Sequence, residues 1–494
     1  MKKGYTFFKH YLPGFIYLFT VLFFISFSFL NAQERFRRFP PSPQSLVDLN
    51  LPEIRSHKLT NSLRLSVVQN TQSPDIHLQL IIFAGESHSP DDLPGLATFT
   101  AHMLSKGTSS FSSSEFENIL ASIGGRFEVS VFSEHTIISI SFLEEFLYEG
   151  LDVLGKLVKN PSFSQREIAK LKTSLYYNMA GKRFDPDFVS RRLMLRILFQ
   201  DHPHQKITFN EDGIKNIKHD NVRKYFRTFY RPNNSHLILI GGIDFQTASR
   251  VVSRHLNTWR KNNLKYSPIS PPKPVKRLRI CLVDMPQIDD TTIFIGNVIT
   301  LNVPEDYFSY SVFNRVLGST PNSRIFMNLR ETKGYAYYAF SQLDLFNKFG
   351  IFFIRAKVRS DVALLSIEEV LREIDHVMKV KIPSQEIEQA KFYLLGNFPI
   401  KMAGSRYFSK KISEIIAFDL GEAHWANYYE NIMQIDSDKV FELIKDSSIL
   451  TPTIVIVTNA NLIAEENPFI DELVEKFGEV EVYNYKGLLQ YTLR

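Results

Sequence analysis

The chain has 494 residues, 44% of them apolar and 13% aromatic, which is enough to bury a large core in more than one domain and excludes disorder for most of its length. Setting Lys2, Lys3 and Lys9 aside with a targeting segment lowers the formal charge from +6 to +3, because 55 basic residues then face 52 acidic ones. So small an excess, with no basic stripe interleaved by aromatics, gives no reason to invoke nucleic acid. The lone Cys281 excludes an intrachain disulfide framework and a cysteine-based zinc cluster. In the apolar run RICLVDM it reads as a small buried hydrophobe.

The first ten residues, MKKGYTFFKH, are basic, and the uncharged run YLPGFIYLFTVLFFISFSFLNA behind them ends in a small residue. This is the layout of a secretory signal peptide over residues 1–32, cut after Ala32, and it predicts an exported, periplasmic protein. Leu12 to Leu30 is also long enough to cross a bilayer, so the alternative is a membrane anchor formed by residues 12–30. Beyond it, FRRFPPSPQS reads as an extended, proline-stiffened lead-in.

From there the elements repeat. LRLSVV and IHLQLIIF read as strands, LATFTAHML as a helix, TIISISF as a strand, EEFLYEGLDVLGKLV and REIAKLKTSLYYNM as amphipathic helices, and SHLILIGG as a closing strand. After a proline-rich break, LRICLVDM and TTIFIGNVI, YFSYSVFNRVL, IFFIRAKV, the helices VALLSIEEVLREIDHVM and SQEIEQAKFYLLGNF, and PTIVIVTN follow in the same order. A period of roughly 230 residues is too long for a solenoid and suits a duplicated α+β domain. The expected organisation is a first lobe over 45–260, a linker over 261–279 and a second lobe over 280–494. Each lobe is an α/β sandwich with a mostly antiparallel sheet, and the two form a clamshell with a cleft between them.

The local sequences carry a likeness. GLATFTAHMLSKGT, SSEFENILASIGG, FSQREIAKLKTSL, DHPHQ and FYRPNNSHLILIGGID in the first half, and LGSTPNSRIFMNLRETKGYAY and EIEQAKFYLLGNFPI in the second, resemble in order the pitrilysin/insulinase superfamily of zinc peptidases. The likeness is strongest to its mitochondrial-processing-peptidase branch. In active members a helix carries HxxEH, whose two histidines, four apart, hold zinc while the glutamate serves as general base. The resemblance puts these positions at Thr98, Ala101 and His102. The third ligand falls at or next to Asn178, with Glu167 about three turns earlier in the same helix.

One imidazole with a hydroxyl, a methyl and an amide cannot make a zinc hydrolase. His102, among Phe99, Met103 and Leu104, reads as an ordinary helix histidine at a cleft edge, and His202 of DHPHQ as turn chemistry beside His204. Glu128 stands where the family often has a substrate-facing asparagine. In the second half the resemblance implies substrate-binding roles for Arg330 and Tyr337, with Gly334 stopping the helix between them and Ser323 capping its start.

These residues imply a non-catalytic, substrate-binding subunit of a heterodimeric metalloendopeptidase. It would hold no cofactor itself; zinc is expected in the partner, an HxxEH-bearing homologous subunit, and the substrate is a peptide or unfolded protein. The alternatives are a stand-alone peptide-binding or scaffold protein, as in the core-protein relatives, and an active metallopeptidase with a rebuilt metal site. A membrane is implied only if the N-terminal segment stays uncleaved.

Overall fold

The computed structural model describes residues 52–71, 73–208, 211–264, 269–302, 305–346, 348–402, 404–421, 423–460 and 469–494. The expected signal or anchor segment lies outside them. Alternating and continuous apolar runs fold into two sheets. The first contains β1 (Ile54–Lys58), β2 (Arg64–Gln69), β3 (Asp75–Ile82), β4 (Arg126–Val131), β5 (Thr136–Leu143) and β6 (Ser235–Gly241), in the order β1-β2-β6-β3-β5-β4. The second contains β7 (Arg279–Asp284), β8 (Asp290–Thr300), β9 (Ala336–Phe346), β10 (Phe349–Arg359), β11 (Thr453–Thr458), β12 (Val480–Tyr483) and β13 (Leu489–Leu493), in the order β13-β12-β7-β11-β8-β10-β9.

Strands β2-β6-β3-β5-β4 and β7-β11-β8-β10-β9 therefore have one topology, including the single parallel pair in each, β2 with β6 and β7 with β11. Arg64 and Arg279 open equivalent strands 215 residues apart, as do Asp75 and Asp290. This is shorter than the roughly 230 read from the sequence. The flanks differ between the halves: β1 precedes β2 in the first, whereas the flank of β7 is filled from the C-terminus by β12.

The helices used below are α1 (Leu96–Met103), α2 (Leu147–Lys159), α3 (Gln165–Lys182), α4 (Pro186–Phe199), α5 (His219–Phe229), α6 (Glu305–Leu317), α7 (Ser384–Met402) and α8 (Ser405–Ala417). Each sheet is apolar on both faces. Along β7, Ile280 and Leu282 join the core under α6, while Cys281 and Val283, pointing the other way, join one built on Leu193, Ile197 and Leu198 of α4. Helix α4 thus leaves its own half to cover β8 and β11 of the second sheet. Reciprocally, α8 of the second half covers β3 and β6 of the first, where Phe408, Ile412 and Ile415 meet Ile81, Ile137, Ile238 and Ile240. Burial at this exchange pushes the Cys281 thiol far up, so it behaves as a hydrophobe.

Polar contacts fix the register of the exchange. Arg191 of α4 lies 2.8 Å from Asp344 of β9, and Tyr338 donates to Asp187 at 2.5 Å. From α8, Ser413 donates to Gln79 at 2.5 Å, and Arg406 pairs with Glu128 at 2.5 Å. The two sheets with their helices agree with the expected pair of α/β lobes, and the exchanged helices interlock the two halves. The linker is pinned as well, since Asn297 exchanges hydrogen bonds with both backbone groups of Val275, at 3.0 and 2.8 Å.

Two expectations follow. Leu193→Ala and Ile412→Ala should each destabilise the whole chain by about 2–5 kcal/mol, measured as a shifted urea midpoint with one shared transition for both halves; separate transitions would contradict the interlock. Residues 52–262 expressed alone should aggregate and be rescued by co-expression with 269–494. Burial also holds the His135 and His236 imidazoles down to about 4, below the ordinary value near 6.5. Each takes up a proton on unfolding within that window, so stability present above about pH 6.5 should be lost as pH falls toward about 4. Calorimetric midpoints level across this window would refute that linkage.

Candidate functional site

Helix α1 begins at Gly95, whose φ of +94° suits glycine. Its free N–H groups are met from outside the helix. The Glu86 carboxylate, only 1% exposed, accepts from the Gly95 and Thr98 N–H groups at 3.1 and 2.7 Å and from the Ser89 hydroxyl at 3.0 Å. Burial raises the pKa of this carboxyl while the hydrogen bonds pull it back. A buried acid at a helix N-terminus is the arrangement the helix dipole favours.

The rest of α1 follows from its apolar spacing. Leu96, Phe99, Ala101 and Met103 are buried, and Thr98 and His102, one turn apart, remain half-buried on a common stripe. Burial, reinforced by nearby Lys106, lowers the His102 pKa, so its imidazole is neutral at pH 7. Helix α3 packs against α1, but Asn178 is exposed there. Glu167 pairs at 2.7 Å with Lys170, and its N–H is capped by Ser164 at 3.3 Å. Among the described residues no three His, Cys, Asp or Glu side chains are grouped to hold a metal ion. The donor set at Thr98, Ala101, His102 and Asn178, one imidazole beside a hydroxyl, a buried methyl and an exposed amide, does not fit zinc.

In the second half the candidate residues follow a short helix with its own polar contacts. Ser323 stands at the cap position before Arg324–Phe326, but its hydroxyl donates back to the Thr320 carbonyl instead of accepting from the helix; this corrects the expected cap. The helix widens into a π turn over Met327–Thr332. It ends at Gly334, φ +65°, with the Tyr335 N–H on the Leu329 carbonyl at 2.8 Å. Arg324 grips Glu386 with two bonds of 2.8 and 2.9 Å, and Asn328 bonds Glu369 at 3.1 Å.

On this frame Arg330 is exposed and makes one hydrogen bond, from Nη1 to the Ala336 carbonyl at 2.9 Å. That carbonyl belongs to the residue before Tyr337 on β9, so the guanidinium is tied to the backbone that carries Tyr337. Tyr337 is 55% exposed, with the Lys357 ammonium 5.8 Å over its ring. Neither Arg330 nor Tyr337 makes a hydrogen bond or ion pair with the first half among the described residues. Arg330 is thus tied to the start of the strand that bears Tyr337, and Thr98 and His102 share one stripe of α1. Glu128 is spent on Arg406.

Other functional contacts carried no motif in the sequence. Tyr338, half-buried, donates to Asp187, and Arg355 lies over its ring at 5.2 Å, so the strand bearing Tyr337 is anchored by a helix from the other half. His202 bonds the Ser270 carbonyl at 2.6 Å and stacks on His204 at 4.8 Å, tying the DHPHQ turn to the segment between the sheets. A cavity of about 620 Å³ lies along the seam, lined by Glu134 and His135 from one half and Asn314, Gln342 and Lys401 from the other.

Comparison with known proteins accounts for the duplicated sheets. Residues 65–212 match the profile "Insulinase (Peptidase family M16)" and residues 216–394 match "Peptidase M16 inactive domain". The chain is 24% identical to an "Uncharacterized zinc protease" of Rickettsia bellii over 359 residues, covering 72% of this chain and 86% of the relative. It is 23% identical to the "Non-peptidase homolog YmxG" of Helicobacter pylori over 352 residues, covering 70% and 80%. The crystal structure of a peptidase M16 inactive domain from Pseudomonas fluorescens superposes with a TM-score of 0.76 at 17% identity, covering 82% of this chain and 98% of that one. The chain is therefore a member of peptidase family M16, the insulinase family of zinc-protease homologues.

Proposed function

We propose that this chain is the non-catalytic, substrate-binding subunit of a heterodimeric metalloendopeptidase whose partner, a homologous chain, carries HxxEH. One observation carries the reading. Helix α1 keeps its fold and cap while its motif positions are Thr98, Ala101 and His102, yet Arg330 and Tyr337 stand exposed on a braced turn and strand. A guanidinium with one hydrogen bond made has donors left for backbone carbonyls or a carboxylate. The exposed Tyr337 phenol can donate to a peptide carbonyl oxygen as negative charge builds there. The Helicobacter pylori relative bears the description of a non-peptidase homologue. A stand-alone clamshell closing on peptide is disfavoured, because separating the halves would expose the apolar faces of α4 and α8.

In this reading residues 45–260 and 280–494 are two M16-type repeats joined by 261–279, a division that the duplicated strand order supports. Residues 1–32 are an export signal, and the mature protein starts near Gln33 in the periplasm. N-terminal sequencing checks this, and recovery of intact residues 12–30 from carbonate-washed membranes would overturn it.

The chain purified alone should hold no stoichiometric zinc and cleave no peptide, by metal analysis and peptidase assay. One zinc per chain lost in His102→Ala would instead support a rebuilt site. Mixed with an HxxEH-bearing homologue from the same organism, it should form a peptidase that neither chain is alone. Tyr337→Phe should lower turnover by a factor at or below the low end of about 10²–10³. Arg330→Ala should act mainly on KM, since its charge is felt by ground and transition states alike. Failure of the two chains to associate, or indifference of the mixture to both substitutions, would leave a scaffold as the better description.

A further inference from the structure

Helix α5 has two unlike faces. Val222, Tyr225 and Phe226 are buried in the first core, while Arg223, Lys224 and Arg227 are exposed. A cavity of about 670 Å³ opens beside it, between the C-terminal end of α2 and the segment Thr258–Arg260. Lys159, Arg223, Arg227, Arg231 and Arg260 line it, and no aspartate or glutamate does.

None of the five cations is paired with a carboxylate among the described residues. Lys159 is held by the His255 carbonyl at 2.9 Å and the Thr258 hydroxyl at 3.3 Å. Arg231 is held by the Arg227 and Arg260 carbonyls at 2.7 and 3.4 Å. These bonds orient the charges without neutralising them. Burial, then the neighbouring Arg227, lowers the Arg231 pKa, in keeping with like charges crowded at one place. An adjoining cavity of about 750 Å³ shares Arg223 and Arg227 and adds Lys224. Its one acidic residue, Asp220, lies 3.1 Å from His219.

Like charges gathered from three separate segments repel one another, and an anion between them reverses the sign of the interaction. The guanidinium fork matches phosphate oxygens two at a time. The aromatic lining, Phe163, Phe226 and Trp259, is buried, which leaves no exposed ring for stacking nucleic-acid bases. The space exceeds a single phosphate.

We propose that this cavity is a binding site for a phosphate-bearing anion, either free or as a phospholipid headgroup, gripped by Arg223, Arg227 and Arg260 and flanked by Lys159 and Arg231. It is built entirely from the first half and stands apart from Arg330 and Tyr337, so it does not depend on the reading of those residues.

The test uses the full chain with two probes, inorganic pyrophosphate by calorimetry and sedimentation with vesicles of phosphatidylcholine alone or mixed with phosphatidylglycerol. At least one probe should bind, more weakly as salt rises. The doubly substituted Arg223→Gln/Arg227→Gln chain should bind about tenfold or more weakly with its thermal midpoint kept or raised. Arg260→Gln, off the helix, should weaken binding too. Pyrophosphate binding assigns a free anion; binding only to phosphatidylglycerol vesicles assigns a headgroup. Retention on phosphatidylcholine alone measures any N-terminal anchor and is subtracted. The proposal is overturned if neither probe binds, if the substituted chains bind as well as the parent, or if polyglutamate binds while both phosphate probes do not.

Discussion

Two sheets with two apolar faces each set the problem that this chain solves. A sheet buried on one face can leave the other to water, but β6 and β11 are buried at every residue and have no face to spare. Helices of each half, set between its strands in sequence, cover one face. The other is covered by an exchange, with α4 crossing to the second sheet and α8 crossing back to the first. Because the exchange is reciprocal, neither core is complete without the other half, and about 25 cal/mol per Å² of apolar surface acts on the pair as a unit.

The candidate functional residues inherit their positions from this arrangement. β9 lies at the edge of the second sheet and would fray there; Asp187 and Arg191 of the exchanged helix tie it down through Tyr338 and Asp344. Tyr337 is thereby presented to solvent by a strand braced from the opposite half. The same logic explains α1: with Glu86 buried beneath its first turn, the helix start is held by a carboxylate from outside the helix.

Much of the local structure was legible from side-chain pattern. The strand and helix order could be read from periodicity, the stop at Gly334 from a residue tolerant of positive φ, the burial of Cys281 from its apolar neighbours, and the shared stripe of Thr98 and His102 from their spacing. The hydroxyl of Ser323 was not readable, because a serine at a helix start can accept from the helix or donate to the preceding turn, and only the Thr320 carbonyl decided between them. Glu128 was read against a family position, but its partner Arg406 lies 278 residues away. The basic cavity escaped notice for a similar reason: Lys159, Arg223 and Arg260 never form a run, and they become one field only where three segments meet.

The sequence by itself determined the duplicated order of elements and the family likeness, since these depend on residue identity and on contacts within a few turns. That β7, β8 and β11 must be covered on both faces was also implicit in their unbroken apolar runs. Which helices do the covering was decided only by tertiary structure. An amphipathic helix specifies that it needs an apolar partner and not which one, and the choice between its own sheet and its neighbour's rests on shape, register and a few long-range polar contacts such as Asp187 with Tyr338 and Gln79 with Ser413.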